Sequence, residues 1–484
     1  MSFASFRFLL YAGALLVLYY TVPRRGQWML LLAASYGFYL HSGPENLCYI
    51  LLTTVSTYGT ARLLDSLHVS CDKKTARQKG KKWVLLCLGL NFGLLAVCKV
   101  RILVENVLLP LGISFYMFQS IGYVLDVYRG SLRAEKNLCR LALFVAYFPQ
   151  LVQGPISKFG TLSPQLFGEH SYDGKGVSFG LQRMLWGYFK KLVIADRIAV
   201  AVLALRGPEH TGLSFFVLTC FYAVQIYGDF TGGIDIALGL SEAFGISLPE
   251  NFDHPFFSKN IAQYWRRWHM TLGQWMKEYV FYPLSVSGSM RKFSKWARRK
   301  WPRFGRRLPV YAVTLVTWLC TGIWHGVTFH FLLWGMLNCG VIVVSEELSP
   351  LYKKFHNRVS WKNKGWYGGF EMLRMFVLMN LIRIVDLFPD VTDYFGRLAT
   401  MFDSFHVPFL ELGLTGLDYG ILLGGVGLML AVSLLQVKRG SIRELLWERR
   451  ALRYTLTAGL FLAVLLMGCY GIGYDAGSFI YNQF

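Results

Sequence analysis

Apolar runs separated by short polar breaks follow one another along the whole chain. They cover residues 8–22, 28–40, 47–64, 83–100 and 103–125, then 138–152, 179–203 and 213–240. After a more polar stretch come 311–324, 329–344, 372–387, 417–437 and 456–471. Such runs predict membrane-embedded helices, because about 20 apolar residues cross about 30 Å of hydrocarbon. Run 417–437, with Asp418 at its start as its one charge, is long enough to cross alone. Several others are shorter than about 18 residues and must lean on neighbouring protein. The pattern predicts an all-α, polytopic membrane protein, read as one membrane-embedded domain over residues 1–484 with roughly 11 to 13 membrane segments.

The breaks inside this pattern are informative. Pro110 and Gly112 interrupt run 103–125 and predict a bent or partly re-entrant helix, which membranes tolerate where protein or a cavity satisfies the freed backbone. Pro149-Gln150 and Gly154-Pro155 predict a kinked helix end. Residues 256–283 are rich in Trp and carry Arg266, Arg267, Lys277 and Glu278, a mixture that suits an interfacial or protein-buried helix. The first run is read as a membrane helix and not as a signal peptide: no A-x-A-like site follows, and its basic end, Pro23-Arg24-Arg25, is C-terminal.

Composition narrows the class. Of 484 residues 54% are hydrophobic and 16% charged, against about 25% charged in soluble domains. An ordinary soluble enzyme, a disordered chain and a disulfide scaffold are all excluded. The net charge of +22 would suggest nucleic acid in a soluble protein. Position points elsewhere, because residues 73–82, 291–307, 353–364 and 438–453 hold 26 of the 50 basic residues, each run lying between apolar stretches. That is the signature of cytoplasmic loops, with contact to anionic membrane lipids, and it places the N-terminus outside the cytoplasm. Nine scattered cysteines contain no C-x-x-C pair and signal neither zinc nor a disulfide framework.

Polar residues in apolar context are the candidates for chemistry, since a charge at the bilayer centre costs about 2.5–3.5 kcal/mol on insertion scales. His325 stands in Gly322-Ile-Trp-His-Gly326, and no charged residue lies between Arg307 and Glu346. Histidine suits general-base work near neutral pH, and Gly322 and Gly326 are expected to leave space for a substrate chain. The alternative is a buried neutral histidine bonded to a backbone carbonyl. His269 lies in Trp265-Arg-Arg-Trp-His-Met-Thr-Leu272; on a continuous helix it shares a face with Trp265, while Arg266 and Arg267 suit phosphates or headgroups. An interfacial aromatic belt with snorkelling arginines explains that segment equally. Asp229 and Asp235 flank Gly232-Gly233, a step expected to break the helix, and either cap it, pair with arginine or line a polar channel. Gln119 precedes Asp126 and Arg129 beyond the Pro110 bend. No Ser-His-Asp order, Walker loop, zinc spacing or dinucleotide fingerprint is present. On the residues alone, enzyme and transporter both stay open.

These stretches together resemble the membrane-bound O-acyltransferase family, in particular its bacterial polysaccharide branch, typified by the membrane subunit of alginate O-acetylation. The resemblance rests on Pro110 to Gln119 through Asp126 to Gly130, Phe148 to Ile156, Gln225 to Phe230, Pro249 to Phe252, Trp265 to Leu272, Gly322 to Gly326 and the end Phe479 to Phe484. It is dense over about 100–345. Gly228, Gln153 and Asn482 depart from residues usual in the branch and bear on substrate detail more than on activity.

The resemblance implies a helical body with a tunnel through a bacterial inner membrane, His325 as the catalytic histidine and His269 as the second. It implies an acetyl group moving from a cytoplasmic thioester, acetyl-CoA, toward hydroxyls of an exported polysaccharide, directly or through a secreted or periplasmic acetyltransferase partner. Trp324, Trp265, Arg266, Arg267, Gln119 and Asp229 are the expected substrate- and donor-binding residues; no metal and no bound cofactor are expected. D-alanyl transfer from an acyl carrier protein to teichoic acid is the nearest enzymatic alternative. A lipid or polysaccharide transporter and acylation of a secreted protein are the others.

Overall fold

The computed structural model describes residues 2–105, 109–302, 304–471, 474 and 479. Every regular element among them is helical, and the only extended pairing is an isolated bridge between Phe252 and Trp268. Each apolar run of the sequence carries helix, and residues 106–108 of run 103–125 lie outside the described residues. Among the described residues six helices are long and apolar enough to cross a membrane: Lys73–Arg101, Leu213–Ala243, Leu308–His325, Phe329–Arg358, Gly416–Arg439 and Arg450–Met467. The chain is therefore a multi-pass, all-α membrane protein. The basic run 73–82 is not a loop but the first turns of helix Lys73–Glu105.

The chain divides into two compact units. The first comprises residues 1–195, 227–249 and 439–484. Its helices start where the sequence supplies caps: Ser5 accepts the Phe8 N–H, and Asp173 accepts those of Lys175 and Gly176. Gly112, at φ 69°, precedes helix Ile113–Arg129, so the break predicted from Pro110 and Gly112 is present. The kink predicted near Pro149 is present too, as helix Leu138–Ala146 gives way at Tyr147 to a single turn, Phe148–Leu151. Phe3, Phe8, Phe38 and Phe148 form its aromatic core, with Phe38 and Phe148 centroids 5.5 Å apart.

The expected break at Gly232-Gly233 is absent, because helix Leu213–Ala243 runs through it. These glycines serve packing instead. A Cβ on Gly232 would lie 2.8 Å from the Gly187 carbonyl oxygen, and one on Gly239 would lie 2.5 Å from that of Gly180. Small residues let membrane helices approach backbone to backbone, and this contact keeps the helix whole.

The second unit comprises residues 196–226 and 250–438. It contains a closely packed pair of helices, Leu308–His325 and Phe329–Arg358, joined by three residues. Residues 256–283 form no spanning helix but short pieces: Ile261–Trp265, Met270–Met276 and a π-turn at Lys277–Phe281. Buried and exposed residues alternate along it, in keeping with an interfacial or protein-buried segment.

Candidate active site

Helix Leu308–His325 ends on its histidine. Gly326 follows, its N–H donating to the Gly322 carbonyl, and Thr328 starts the return helix. The two helices touch through glycine. A Cβ on Gly322 would stand 2.6 Å from the Phe331 carbonyl oxygen, one on Gly335 would stand 2.5 Å from that of Trp318, and one on Gly326 would meet the Phe331 ring at 2.1 Å. The space expected beside Gly322 and Gly326 is thus filled by Phe331. The two glycines bring the return helix against the histidine and do not hold a gap open. Gly322→Ala should lose about 1–3 kcal/mol of stability from overpacking, because a backbone oxygen cannot swing aside. A thermal shift of the purified protein checks this; an unchanged midpoint would contradict the close contact.

Aromatic rings surround His325. Its ring centroid lies 4.7 Å from Trp334 and 4.8 Å from Trp324, both edge-on, and 6.4 Å from Phe331 nearly parallel. Trp265, Trp318 and Trp334 form a triangle with centroids 4.7–5.8 Å apart. His325 is 8% exposed. The contact chain continues from Trp324 to His269, 5.8 Å away. The structure therefore joins four expected site residues, His325, Trp324, His269 and Trp265, in one cluster.

The route by which Trp265 and His269 meet that cluster differs from the expectation. They share no helix face: helix Ile261–Trp265 ends there, and His269 sits at φ 47°, ψ 54°, in left-handed conformation, before Met270–Met276. Such a backbone costs an L-residue about 1–2 kcal/mol, so the surroundings must hold it. Asn251 does this. Its carbonyl accepts the Met270 N–H at 2.9 Å. Its Oδ1 accepts the Thr271 N–H at 3.1 Å and the Thr271 hydroxyl at 2.9 Å, and lies 3.2 Å from His269 Nδ1. The Phe252–Trp268 bridge and the Asp253 N–H to the Arg267 carbonyl brace the same corner.

His269 is 3% exposed. Burial, and secondarily the charge of Arg383, push its pKa down to about 3, so it is neutral at physiological pH. Arg383 is buried too, with its guanidinium 4.0 Å over the Trp268 ring and a bond to the Tyr264 hydroxyl. Arg267 pairs with Asp253 at 3.6 Å, and Arg266 is exposed.

Gln119 and Asp229 lie in the first unit. The Gln119 amide donates to the Pro155 carbonyl and accepts from Gln150. Asp229 accepts from Lys191 at 2.6 Å, both side chains buried, and Asp235 holds Lys190 at 2.6 Å and Arg183 at 2.9 Å. Pairing is thus what both aspartates do, chiefly with lysine and not with arginine alone. Of the C-terminal motif only Phe479 is described, its ring 4.3 Å beneath Lys191; residues 480–484, Asn482 among them, lie outside the described residues. Asn251, Trp318, Trp334 and Arg383 are site residues that sequence reasoning gave no role. Asn251 stands within the Pro249 to Phe252 motif, whereas Trp318 lies two turns before His325 on the same helix and Trp334 on the return helix, where only the close packing of the two helices brings it to the site. Among the described residues no group of histidine, cysteine and carboxylate side chains could hold a metal ion.

Fold and site together define a polytopic membrane protein whose titratable centre is a pair of buried histidines in a tryptophan nest. The chain belongs to the membrane-bound O-acyltransferase family, which matches residues 131–385. It is 34% identical over 342 residues to the probable alginate O-acetylase AlgI of Pseudomonas fluorescens, across 69% of this chain and 64% of that one. It therefore spans just under two thirds of that relative. It is 29% identical over 372 residues to the peptidoglycan O-acetyltransferase of Helicobacter pylori, 68% of this chain and 66% of that one. It is 26% identical over 264 residues to the teichoic acid D-alanyltransferase of Bacillus subtilis, 53% of this chain and 63% of that one.

Proposed function

We propose that this protein is an O-acyltransferase of a bacterial inner membrane, moving an acetyl group from a cytoplasmic thioester toward hydroxyls of an exported polysaccharide. The observation that carries the reading is His325, buried at a helix end between Trp324, Trp334 and Phe331 and linked through Trp324 to His269. The reaction needs one group that takes a proton and returns it. His325 accepts the proton of the acceptor hydroxyl, whose oxygen attacks the thioester carbonyl. As the C–S bond breaks, the imidazolium returns that proton to the leaving thiolate, so no charge is left behind. The aromatic walls exclude water, which would otherwise hydrolyse the thioester. His269 holds a substrate group beside it.

Acetyl-CoA is the proposed donor, approaching from the face marked by the basic runs, with the N-terminus on the opposite side. A secreted or periplasmic acetyltransferase completes delivery where the polymer lies beyond the membrane. Family membership weighs against the transporter reading, and the similarity to three acetylating and alanylating relatives leaves the acyl group as the point to test. Detergent-purified protein given radiolabelled acetyl-CoA and polysaccharide, alone or with the periplasmic acetyltransferase, should pass label to the polysaccharide without a carrier protein, ion gradient or nucleotide. Transfer only of D-alanine from a charged acyl carrier protein would replace acetyl by D-alanyl.

A further inference from the structure

We propose that Asn251 is the positioning residue of this site, fixing His269 as the tautomer protonated on Nδ1, so that Nε2 offers a lone pair to a hydrogen-bond-donating group of the substrate. The inference deepens the proposed function and rests on that reading for the substrate's part, but the tautomer rests on geometry alone.

An amide side chain has one accepting and one donating end. The Thr271 backbone N–H can only donate, so the Asn251 atom 3.1 Å from it is the oxygen. The same oxygen lies 3.2 Å from His269 Nδ1, so Nδ1 must carry the hydrogen. A neutral imidazole has a single N–H, and Nε2 is then the accepting nitrogen. Asn251 is wholly buried, and its carbonyl also holds the Met270 N–H. The amide therefore cannot turn over without giving up the Thr271 bonds. Left-handed backbone at His269 and both ends of Asn251 form one rigid corner.

The chemical consequence is selective. An accepting Nε2 cannot donate to an oxyanion, so His269 does not stabilise the tetrahedral intermediate. It recognises a donor: an acceptor-sugar hydroxyl, or an amide N–H of the thioester's pantetheine arm.

The test uses full-length protein labelled with 15N-histidine and reconstituted in lipid, the His269 signals being assigned by their loss in His269→Gln. At pH 7 the expected spectrum shows a protonated Nδ1 and an unprotonated Nε2. A protonated Nε2 would overturn the proposal. Asn251→Ala should give a mixture of tautomers and lower acetyl transfer in cells by about 10–100-fold, the range for removing a partner that orients a metal-bound imidazole. An unchanged tautomer, or full transfer once the tautomer is lost, would overturn it. Thr271→Ala removes one bond to Asn251 and leaves the His269 bond, so it should retain tautomer and activity. If Asn251→Ala does not fold, Asn251→Asp carries the test. It keeps an acceptor and adds a negative charge, so the tautomer should persist while the imidazole protonates at a higher pH than in the wild type. His325→Ala separates the two levels: full activity there would remove the proposed reaction while leaving the tautomer result standing.

Discussion

His325→Ala should lower acetyl transfer by about 10²–10⁴-fold, the contribution of a positioned general base, at unchanged protein level. Folding should survive, since the ring packs edge-on between tryptophans and its loss leaves the glycine-mediated helix contact intact. The measurement is acetylation of the cell-surface polymer in a strain carrying the variant as its only copy, with membrane abundance determined alongside. Normal acetylation at equal abundance would remove His325 from the reaction. His325→Gln offers a sharper version, because it keeps polarity and volume but cannot shuttle a proton, and it should be as inactive as the alanine variant. His330 is the internal control. It is also buried, and its ring lies on Phe331 at 4.2 Å, but the proposed reaction gives it no proton to carry. His330→Gln should retain most of the activity.

The largest effect on stability should come from Lys191→Met. Lys191 and Asp229 are 0% and 2% exposed and 2.6 Å apart. Losing one partner of a buried pair costs about 3–5 kcal/mol. The double variant Lys191→Met, Asp229→Leu should recover most of that loss, because replacing both partners by apolar groups of similar size is often neutral. Thermal stability of the three variants, measured in one detergent, gives the coupling directly. The same set decides what Asp229 does. A stable double variant with near-normal transfer assigns Asp229 to structure; a stable but inactive one restores the expectation that it binds substrate.

The helical class was readable from the sequence because its signal is repeated: each of thirteen apolar runs carries helix among the described residues, and one misjudged boundary changes little. Single polar breaks were less readable. The break at Pro110 and Gly112 is present as expected, with Gly112 in left-handed conformation before Ile113, since proline lacks the N–H that a helix interior needs. Gly232-Gly233 makes no break, since glycine between packed helices buys close approach, and only the partner helix with Gly180 and Gly187 reveals that. The site divides in the same way. His325 was identifiable as an ionisable group with no charge for many residues on either side. The partner of His269 was not, because Asn251 is 18 residues away and reaches it through a turn whose left-handed centre no helical periodicity describes.

The tryptophan nest has an optical consequence. Four of the protein's 14 tryptophans, Trp265, Trp318, Trp324 and Trp334, lie in one contact chain with both histidines. Indole emission responds to local polarity and is quenched by a neighbouring imidazolium. These four indoles sit beside the proposed reacting group, so substrate entry or protonation of His325 should register in their part of the intrinsic fluorescence as a change in intensity and colour. The protein carries a built-in reporter of its own site, which needs neither a label nor knowledge of the acceptor.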